Sequence, residues 1–571
     1  MIPALRRRLA AAMGCALLLL TVGCAPMIPT DGPVGTSDPE VGGDFEYVFD
    51  PRGPQEGDSP EEIVRYFIQA GVGVQDDYAV AREYMTPEAA AEWTPGERTV
   101  VYSTEPRYFP GEDDTFTAQM EVESQIDSSG IMTSLPENST EAMEFTLTEV
   151  EGEWRISDAP SGTMLPYGQF QRVYAAHTLY FYDPQLQYAV PDLRWFVNRP
   201  GLPAEIVSAL LDGPAPYLSP AVVSGFPSDA RLSRASVPVE DGVAQVDFDN
   251  DIVAGLSDEE RALMQHQIDL VLTQLSAVRD VQVTVDQREI SAGDGESADD
   301  LDIDVEPAVD ATQVGIHDGT LMRQSGLETM SINNLPDVSD LEPQQPAMPD
   351  EAADVYAFLD GEGSDLYHVG PDLGVSLSFS GEDLVRPSMD NFGWTWTASN
   401  ASDEATVHAL PYDESLPRNE VQVSVDWLEG RSITSLRISQ DGARAAVVVD
   451  DGGERTLYMT GVIRDSEGAP QGLAEPMRME TTTDIEEVRW SENNSLVVWE
   501  NSEDEARQVE RVTISGTNEP LGRVLLGLQN VSAGEGERNI FAETVDYPQQ
   551  TFLGETWDVE DLDIRDMSYP G

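Results

Sequence analysis

The chain of 571 residues contains no lysine, so all 32 of its basic side chains are arginines. Against them stand 105 aspartates and glutamates, which gives a formal net charge of −73. A protein this acidic is repelled by nucleic acid and by anionic lipid headgroups. The composition therefore argues against nucleic-acid binding, and any attachment to a membrane must come from something other than charge.

Cysteine is nearly absent as well. The two cysteines are Cys15 and Cys24, and none follows them. Beyond residue 24 the sequence lacks the residues for a disulfide, a thiolate nucleophile or a cysteine-ligated metal. Its domains must rest on ordinary hydrophobic cores, which a hydrophobic content of 40% permits. The length suggests about three or four domains.

Histidines are few and widely spaced, at His177, His266, His317, His368 and His408. None has a second histidine at the spacing of a zinc site. The chain also lacks the G-x-S-x-G, H-E-x-x-H and phosphate-binding glycine motifs. The sequence thus predicts no catalytic residues, no metal and no cofactor, and it favours a protein that is not an enzyme.

Two acidic runs have the alternating spacing of calcium ligands. They are Asp247, Asp249, Asp251 and Asp300, Asp302, Asp304. An EF-hand loop needs glycine at its sixth position, where these runs have Ile252 and Val305. We therefore expect the first run to end a strand and the second to lie in a solvated linker.

The apolar run that follows Arg6, Arg7 and Arg8 is too short to span a bilayer. It covers residues 9–22, about 14 residues, whereas a spanning helix needs about 20. Three arginines before such a run are typical of a secretory signal. The run closes on Val22-Gly23-Cys24, which resembles a bacterial lipobox, with Thr21 in place of the usual leucine.

The lipobox resemblance implies that residues 1–23 are removed as a signal peptide. Cys24 would then become the N-terminus and carry an S-diacylglycerol and an N-acyl group, including palmitate. An ordinary cleaved signal or an uncleaved anchor is the alternative. Residues 24–58 are rich in proline, glycine and acidic side chains, and they predict a flexible acidic tether of about 30 Å root-mean-square span.

Residues 59–165 predict helices followed by a curved antiparallel sheet. Ser59, Pro60 and Glu62 form the pattern of a capping box with proline at the first helical position. Strand patterns follow at 100–102, 116–122, 145–147 and 154–156. This order resembles the cone-shaped fold of nuclear-transport-factor-like domains. Trp154 is expected to pack in the core rather than to line a ligand pocket.

Residues 170–290 predict an α/β unit. Its expected elements are a strand at 178–181, a helix at 206–211, a hairpin of 237–239 and 243–248 turning at Asp241-Gly242, a helix capped by Ser257 to Glu260, and a strand at 281–285. The Leu210-Leu211-x-Gly213-Pro214 turn and the D-G-V-A-x-V-D-F hairpin resemble a GerMN domain, a small module thought to mediate assembly.

Residues 291–311 predict a second acidic linker, and residues 312–571 predict strands and turns. Turns at Asp390, Asp441 and Asn493 lie 51 and 52 residues apart. A period of about 40–50 residues with several strands marks a β-propeller blade. Similar strand–turn patterns at Asp318 and Asp360 suggest about six blades in all, with residues 539–571 closing the ring. A β-sandwich is the structural alternative.

Two tryptophans, Trp394 and Trp396, lie in one of these strand patterns. They could form the floor of a ligand pocket, but residues two apart on a strand also fit a position in the core and one at its rim. Packing is the favoured interpretation.

A lipobox, a cone-like α+β domain, a GerMN domain and a C-terminal β-propeller, in that order, resemble the LpqB family of actinobacterial lipoproteins. The resemblance implies a lipid-anchored protein on the extracytoplasmic face of the cell membrane. It further implies an accessory regulator that binds the extracytoplasmic domain of an Mtr-type sensor histidine kinase and influences envelope homeostasis and division. The alternative is a binding lipoprotein that captures a cell-wall glycan or peptide through its propeller or cone; an enzyme is the weakest hypothesis.

Overall fold

The computed structural model describes residues 51–136, 138–249, 256–285, 287–289, 301–349, 354–401, 404–413, 416 and 419–571. Its six α-helices in these ranges are α1 Pro60–Ala70, α2 Ala79–Glu83, α3 Pro87–Glu92, α4 Tyr167–Val173, α5 Leu202–Asp212 and α6 Asp258–Leu272. None of these helices has the length and apolar character needed to cross a membrane.

The first domain begins with α1, whose capping box is confirmed. The Ser59 side chain accepts a hydrogen bond from the Glu62 backbone N–H, and the Glu62 carboxylate accepts one from the Ser59 N–H. Pro60 occupies the first turn, and Ile63, Val64, Phe67 and Ile68 are buried on the predicted face. These side chains share a core with residues of the strands Arg98–Tyr102, Thr115–Asp127 and Thr140–Val150.

Seven strands form the sheet of this domain: β1 Arg98–Tyr102, β2 Arg107–Pro110, β3 Thr115–Asp127, β4 Met132–Ser134, β5 Thr140–Val150, β6 Glu153–Asp158 and β7 Thr163–Pro166. Their order is β6-β5-β3-β1-β7, with β2 and β4 also paired to β3. The expected antiparallel pattern holds except at β7, which runs parallel to β1. The chain leaves edge strand β6 and crosses to the opposite edge, so β7 enters in the same direction as β1.

The second unit has two small sheets. Its strands are β8 Tyr174–Tyr182, β9 Ala189–Val197, β10 Val239–Glu240, β11 Val243–Phe248, β12 Asp280–Val285 and β13 Arg288–Glu289. The hairpin of β10 and β11 is confirmed, with both turn residues, Asp241 and Gly242, at positive φ as a tight two-residue turn requires. Helix α6 begins with the predicted Ser257–Glu260 capping box and carries the crossover between parallel strands β11 and β12.

The remaining strands form six blades in the described residues. Blade 1 has β14 Thr312–His317, β15 Thr320–Ser325 and β16 Glu328–Ser331; blade 2 has β17 Gln344–Ala347, β18 Tyr356–Leu359, β19 Asp365–Gly370 and β20 Gly374–Ser380; blade 3 has β21 Ser388–Met389, β22 Trp394–Ala401, β23 Glu404–Pro411 and β24 Val421–Val423.

Blade 4 has β25 Ser432–Ile438, β26 Arg444–Asp451, β27 Glu454–Arg464, β28 Pro470–Leu473 and β29 Met477–Met479; blade 5 has β30 Glu487–Glu492, β31 Ser495–Trp499, β33 Glu510–Thr513 and β34 Asn518–Pro520; blade 6 has β36 Leu528–Ala533, β37 Ile540–Thr544, β38 Gln550–Phe552 and β39 Trp557–Val559. A short ribbon of β32 Ala506–Arg507 and β35 Leu525–Leu526 lies between blades 5 and 6 in the chain.

The last strand, β40 Arg565–Ser568, pairs with β14 and becomes the first strand of blade 1. The first strands of successive blades contact one another from β21 through β25, β30, β36 and β40 to β17. The ring is therefore closed by one C-terminal strand, β40. The other strands after residue 539, β37 to β39, belong to blade 6, whose first strand begins at Leu528.

The repeated turns fall into two classes. Asp390, Asp441 and Asn493 each connect the first and second strands of blades 3, 4 and 5, which explains their even spacing. Asp318 and Asp360 instead lie between the second and third strands of blades 1 and 2. The sequence patterns at Asp318 and Asp360 thus correspond to hairpins, but these hairpins join a different pair of strands from those at Asp390, Asp441 and Asn493.

Candidate functional site

The first strands of the propeller, or residues beside them, bring charged and amide side chains from all six blades toward the axis. We call this set the axial cluster: Gln345, Arg386, Arg437, Glu487, Arg489, Asn530 and Asp566. The three arginines are buried, with exposed fractions of 6%, 1% and 4% in chain order. Buried charges are costly unless paired, so the partners of each decide what the cluster can do.

Arg386 and Asp566 form one pair within the cluster. The Arg386 Nη2 donates to Asp566 Oδ1, and the other oxygen of Asp566 accepts the backbone N–H of Gln345. The Asp566 backbone N–H in turn donates to Glu543 at 2.6 Å. These contacts hold β40 against blades 2, 3 and 6.

Glu487 and Arg489 form a second pair two residues apart on β30. Arg489 Nη1 lies 3.0 Å from Glu487 Oε2, and Ser435 donates to the same oxygen at 3.1 Å. Burial raises the pKa of Glu487, but Arg489, Arg386 and Arg437 outweigh burial and hold it below its ordinary value. Burial, together with the charge of Arg386, lowers the pKa of Arg489 to about 10.

Arg437 differs from the other two arginines because no carboxylate of the described residues pairs with it directly. Its Nη1 donates to the Pro387 carbonyl at 2.6 Å, while its Nε and Nη2 have no hydrogen-bond partner among the described residues. Burial and the neighbouring charges of Arg489 and Arg386 lower the pKa of Arg437 well below its ordinary value. The cluster thus contains buried guanidinium N–H groups that are available to donate hydrogen bonds to a ligand.

A second feature is the contact between the second unit, residues 174–289, and blades 4 and 5. We call this unit the GerMN-like unit and the contact the seam. One continuous core joins residues of β8, α5, α6 and β11 to residues of β26, β27 and β31. The Gly461 N–H donates to the Tyr217 carbonyl at 2.7 Å, and Gln185 Nε2 donates to the Asp465 carbonyl at 3.1 Å. A Cβ on Gly461 would lie 2.7 Å from both Tyr217 O and Ala221 Cβ. The two units are therefore packed against each other at backbone distance.

The first domain meets the same seam. The Trp195 N–H donates to the Gly130 carbonyl at 2.7 Å, and Arg194 Nη1 donates to the Ser129 carbonyl at 2.8 Å. Arg194 is itself paired with Asp192 in a buried salt bridge. A small cavity at this junction is lined by residues of all three domains, namely Ile131, Met132, Leu193, Trp195, Tyr217, Met477 and Ile514.

Two of the six aspartates in the candidate calcium runs, Asp247 and Asp304, make other contacts in the structure. Asp247 lies in β11, as expected, and accepts hydrogen bonds from Ser233, Thr284 and the Gln287 backbone N–H. Asp304 lies beside Tyr188 in an isolated bridge, with the Ala189 N–H donating to its carbonyl at 2.8 Å. Asp251 and Asp300 lie outside the described residues. Among those described, no group of three or more potential ligands is arranged for a metal ion.

The tryptophan pair is entirely in the core. Trp394 and Trp396 are 1% and 0% exposed and share a core with blades 3 and 4, so neither is at a rim. Trp396 Nε1 donates to Asp390 at 2.7 Å, and Asp390 also pairs with the buried Arg464. Packing is confirmed as their role. Trp154 is partly buried against the core of the first domain, as predicted.

The five histidines do not converge. His177 belongs to β8, His266 to α6, and His317, His368 and His408 to blades 1, 2 and 3. Burial lowers the pKa of both His177 and His368 to about 4. Cys24, the predicted lipidation site, lies outside the described residues and stays a prediction.

Sequence reasoning missed the axial arginines, although a signal was present. Arg386, Arg437 and Arg489 each stand four residues before one of the repeated turn residues Asp390, Asp441 and Asn493. An arginine therefore recurs at the same position of blades 3, 4 and 5, and in blades 4 and 5 it interrupts an apolar strand pattern. Such a recurrence indicates that the three arginines lie at equivalent places in the propeller.

Comparison with known families accounts for the domain order. A profile described as "Lipoprotein LpqB, N-terminal domain" matches residues 53–171, one described as "Sporulation and spore germination" matches 178–291, and one described as "Lipoprotein LpqB beta-propeller domain" matches 319–549. The two LpqB profiles together match more than half of the chain. The chain belongs to the LpqB lipoprotein family.

Individual relatives agree with this assignment. Lipoprotein LpqB of Streptomyces avermitilis is 25% identical, with 93% of this chain and 92% of the relative covered. Lipoprotein LpqB of Bifidobacterium longum is 26% identical, with 81% and 80% covered. Among solved structures, the first GerMN domain of the sporulation protein GerM from Bacillus subtilis is 21% identical, with 22% of this chain and 92% of that chain covered and a TM-score of 0.18.

Proposed function

We propose that this LpqB-family protein is a lipid-anchored accessory protein on the extracytoplasmic face of the cell membrane that regulates an Mtr-type sensor histidine kinase by direct contact. Cell-envelope homeostasis and division would lie downstream. On this proposal the protein acts by binding and not by catalysis. Its membrane attachment would come from acyl chains on Cys24, because its net charge of −73 opposes adsorption to anionic headgroups.

The observation that carries the proposal is an apolar rim on blades 1 and 2. Their outermost strands, β16 and β20, each end a sheet and leave one strand edge without a partner in the described residues. Large apolar side chains on or beside these strands are exposed: Leu327, Met330, Leu373, Val375 and Leu377. Exposed apolar side chains next to open strand edges are typical of surfaces that bind another protein.

The fixed arrangement of the three domains supports a role in presenting such a surface. The seam buries GerMN-like residues against blades 4 and 5, so those blades are occupied within the chain. Blades 1 and 2 contribute no residue to that shared core. A protein whose blades 4 and 5 are covered within the chain and whose blades 1 and 2 expose apolar side chains is suited to docking on a partner through those two blades.

The binding test uses the chain from residue 25 onward and the extracytoplasmic domain of the sensor. Leu377 is 54% exposed on β20, and we expect Leu377→Asp to weaken the complex by about tenfold or more, because the most exposed apolar side chain of the rim would be replaced by a charge. Val559→Asp is the matched control, since Val559 is 52% exposed on the outermost strand of blade 6. No complex at high micromolar concentration, in low and in high salt, would contradict the proposal.

The anchor is tested separately. In cells, the protein with Cys24→Ser should lose its partitioning into detergent and its acyl mass, whereas Cys15→Ser should keep both. Detergent partitioning that survives in Cys24→Ser would remove the lipid anchor from the proposal and leave the kinase contact to the binding test.

A further inference from the structure

The axial cluster has more positive than negative charge in its interior. Arg386, Arg437 and Arg489 face two carboxylates, Asp566 and Glu487, each of which is already held by one of the arginines. Nearby Glu543 pairs with a different arginine, Arg565, at 3.2 Å. Among the described residues, one buried guanidinium, that of Arg437, is therefore left without a counterion, in a chain where acidic residues outnumber basic ones about threefold.

The unpaired nitrogens supply the geometry for an anion. Arg437 Nε and Nη2 form one edge of the guanidinium, and both lack a partner in the described part of the chain. That edge is the fork that matches two oxygens of a carboxylate or phosphate. Arg386 Nε and Nη1 and Arg489 Nε are likewise buried and unpaired. Leaving such donors unsatisfied is costly, and it is uncommon in folded proteins.

The three side chains belong to one site. Arg437 donates to the carbonyl of Pro387, the residue that follows Arg386, and Arg489 reaches Asn530 at 3.5 Å on the next inner strand. At one end of the cluster the Asp566 side chain is 22% exposed, whereas Arg437 is 1% exposed. The cluster therefore extends from a partly exposed carboxylate to a buried guanidinium.

We propose that the propeller axis binds one small oxyanion, a carboxylate or phosphate group, on the free edge of Arg437, with Arg386 and Arg489 donating from either side. The bound group would neutralise the unpaired charge and satisfy buried donors contributed by three consecutive blades. This inference does not rest on the sensor-kinase proposal, since it concerns the interior of the propeller and not its rim.

The test titrates the mature chain with sodium phosphate and, in a separate arm, sodium acetate, at constant ionic strength maintained with chloride. We expect isothermal calorimetry to give one site per chain, and the thermal midpoint to rise with the same saturation curve. Binding in the phosphate arm alone would assign the site to a phosphate group, and tighter binding in the acetate arm would assign it to a carboxylate.

Two variants locate the site. Arg437→Gln removes the fork and should weaken binding by at least about tenfold, as expected for loss of a charge-assisted bidentate contact. Asn530→Asp keeps the shape of the side chain but places a carboxylate beside Arg489, so it should compete with the anion and weaken binding even if Arg437→Gln fails to fold. Arg172→Gln makes the same charge change on an exposed side chain and should bind as the unchanged protein does.

Two results would overturn the inference. One is the absence of any heat or midpoint shift with either anion up to tens of millimolar. The other is binding that is equally tight in the unchanged protein, Arg437→Gln and Asn530→Asp, which would place the anion elsewhere.

Discussion

Two sides of the propeller, blades 4 and 5 and blades 1 and 2, differ in what their side chains contact. Blades 4 and 5 contribute to one core with the GerMN-like unit, and they hold buried ion pairs such as that of Arg444 with Asp441. Blades 1 and 2 share a smaller core, blade 2 shares another with residues in and beside blade 3, and apolar side chains such as Leu377 are exposed. The difference is that residues of blades 4 and 5 are covered within the chain, whereas apolar side chains of blades 1 and 2 are exposed.

The strongest test of this comparison removes a charge from the covered side. Asp441 accepts hydrogen bonds from Arg444 Nε and Nη2 at 2.9 and 2.5 Å, and both side chains are at most 1% exposed. Asp441→Ala would leave a buried guanidinium without its counterion, at a cost of about 3–5 kcal/mol. Chemical denaturation monitored by tryptophan fluorescence measures this loss.

The matched control is an exposed pair of the same chemistry. Glu61 and Arg65 lie four residues apart on α1, and both side chains are more than 40% exposed. Glu61→Ala should cost no more than about 0.5 kcal/mol. Equal losses of unfolding free energy in Asp441→Ala and Glu61→Ala would contradict this prediction, because they would show that burial does not increase the contribution of the Asp441–Arg444 pair to stability.

Local features of the fold could be predicted because their causes are local. The capping boxes at Ser59 and Ser257 and the hairpin at Asp241-Gly242 depend on residues within a few positions of one another, and all three are present. The even spacing of Asp390, Asp441 and Asn493 was also readable, since each repeat places its turn at the same point of the blade.

Features that depend on ring closure and domain packing could not be read in this way. The meeting of Arg386 with Asp566 requires β40 to cross to blade 1. Phe170 and Val173, in helix α4, pack in the core of the first domain, although they lie in the stretch whose pattern predicts the second. In both cases the contacts join distant parts of the chain, and periodicity carries no information about them.

A second prediction probes how closely the covered side is packed. Gly461→Ala would place a methyl group 2.7 Å from the Tyr217 carbonyl and the Ala221 side chain, where backbone cannot give way cheaply. We expect a loss of about 1–3 kcal/mol, typical of overpacking, together with faster proteolysis between the GerMN-like unit and the propeller.

Gly96→Ala is the control for this substitution. Nothing lies within 4 Å of the position a Cβ would take at Gly96, so the change should stay within about 0.5 kcal/mol. Unchanged stability and proteolysis in Gly461→Ala would show that the seam is looser than its hydrogen bonds indicate.

The last prediction asks whether the two sides unfold together. His177 lies in the GerMN-like unit and His368 in blade 2, and burial lowers the pKa of each to about 4. In the unfolded chain a histidine has a pKa of about 6.5, so the unfolded state binds more protons as pH falls from 6.5 toward 4. Each buried histidine therefore removes stability over that window, by up to about 2 kcal/mol at pH 5.

His177→Gln and His368→Gln should each reduce the loss of unfolding free energy between pH 7.5 and pH 5. If the covered and open sides form one cooperative unit, both variants shift the same transition. If blade 2 unfolds independently of the seam, His368→Gln changes an earlier transition that His177→Gln leaves in place. That second pattern would confine the rigidity to the covered side and make the open rim a separately adjustable surface.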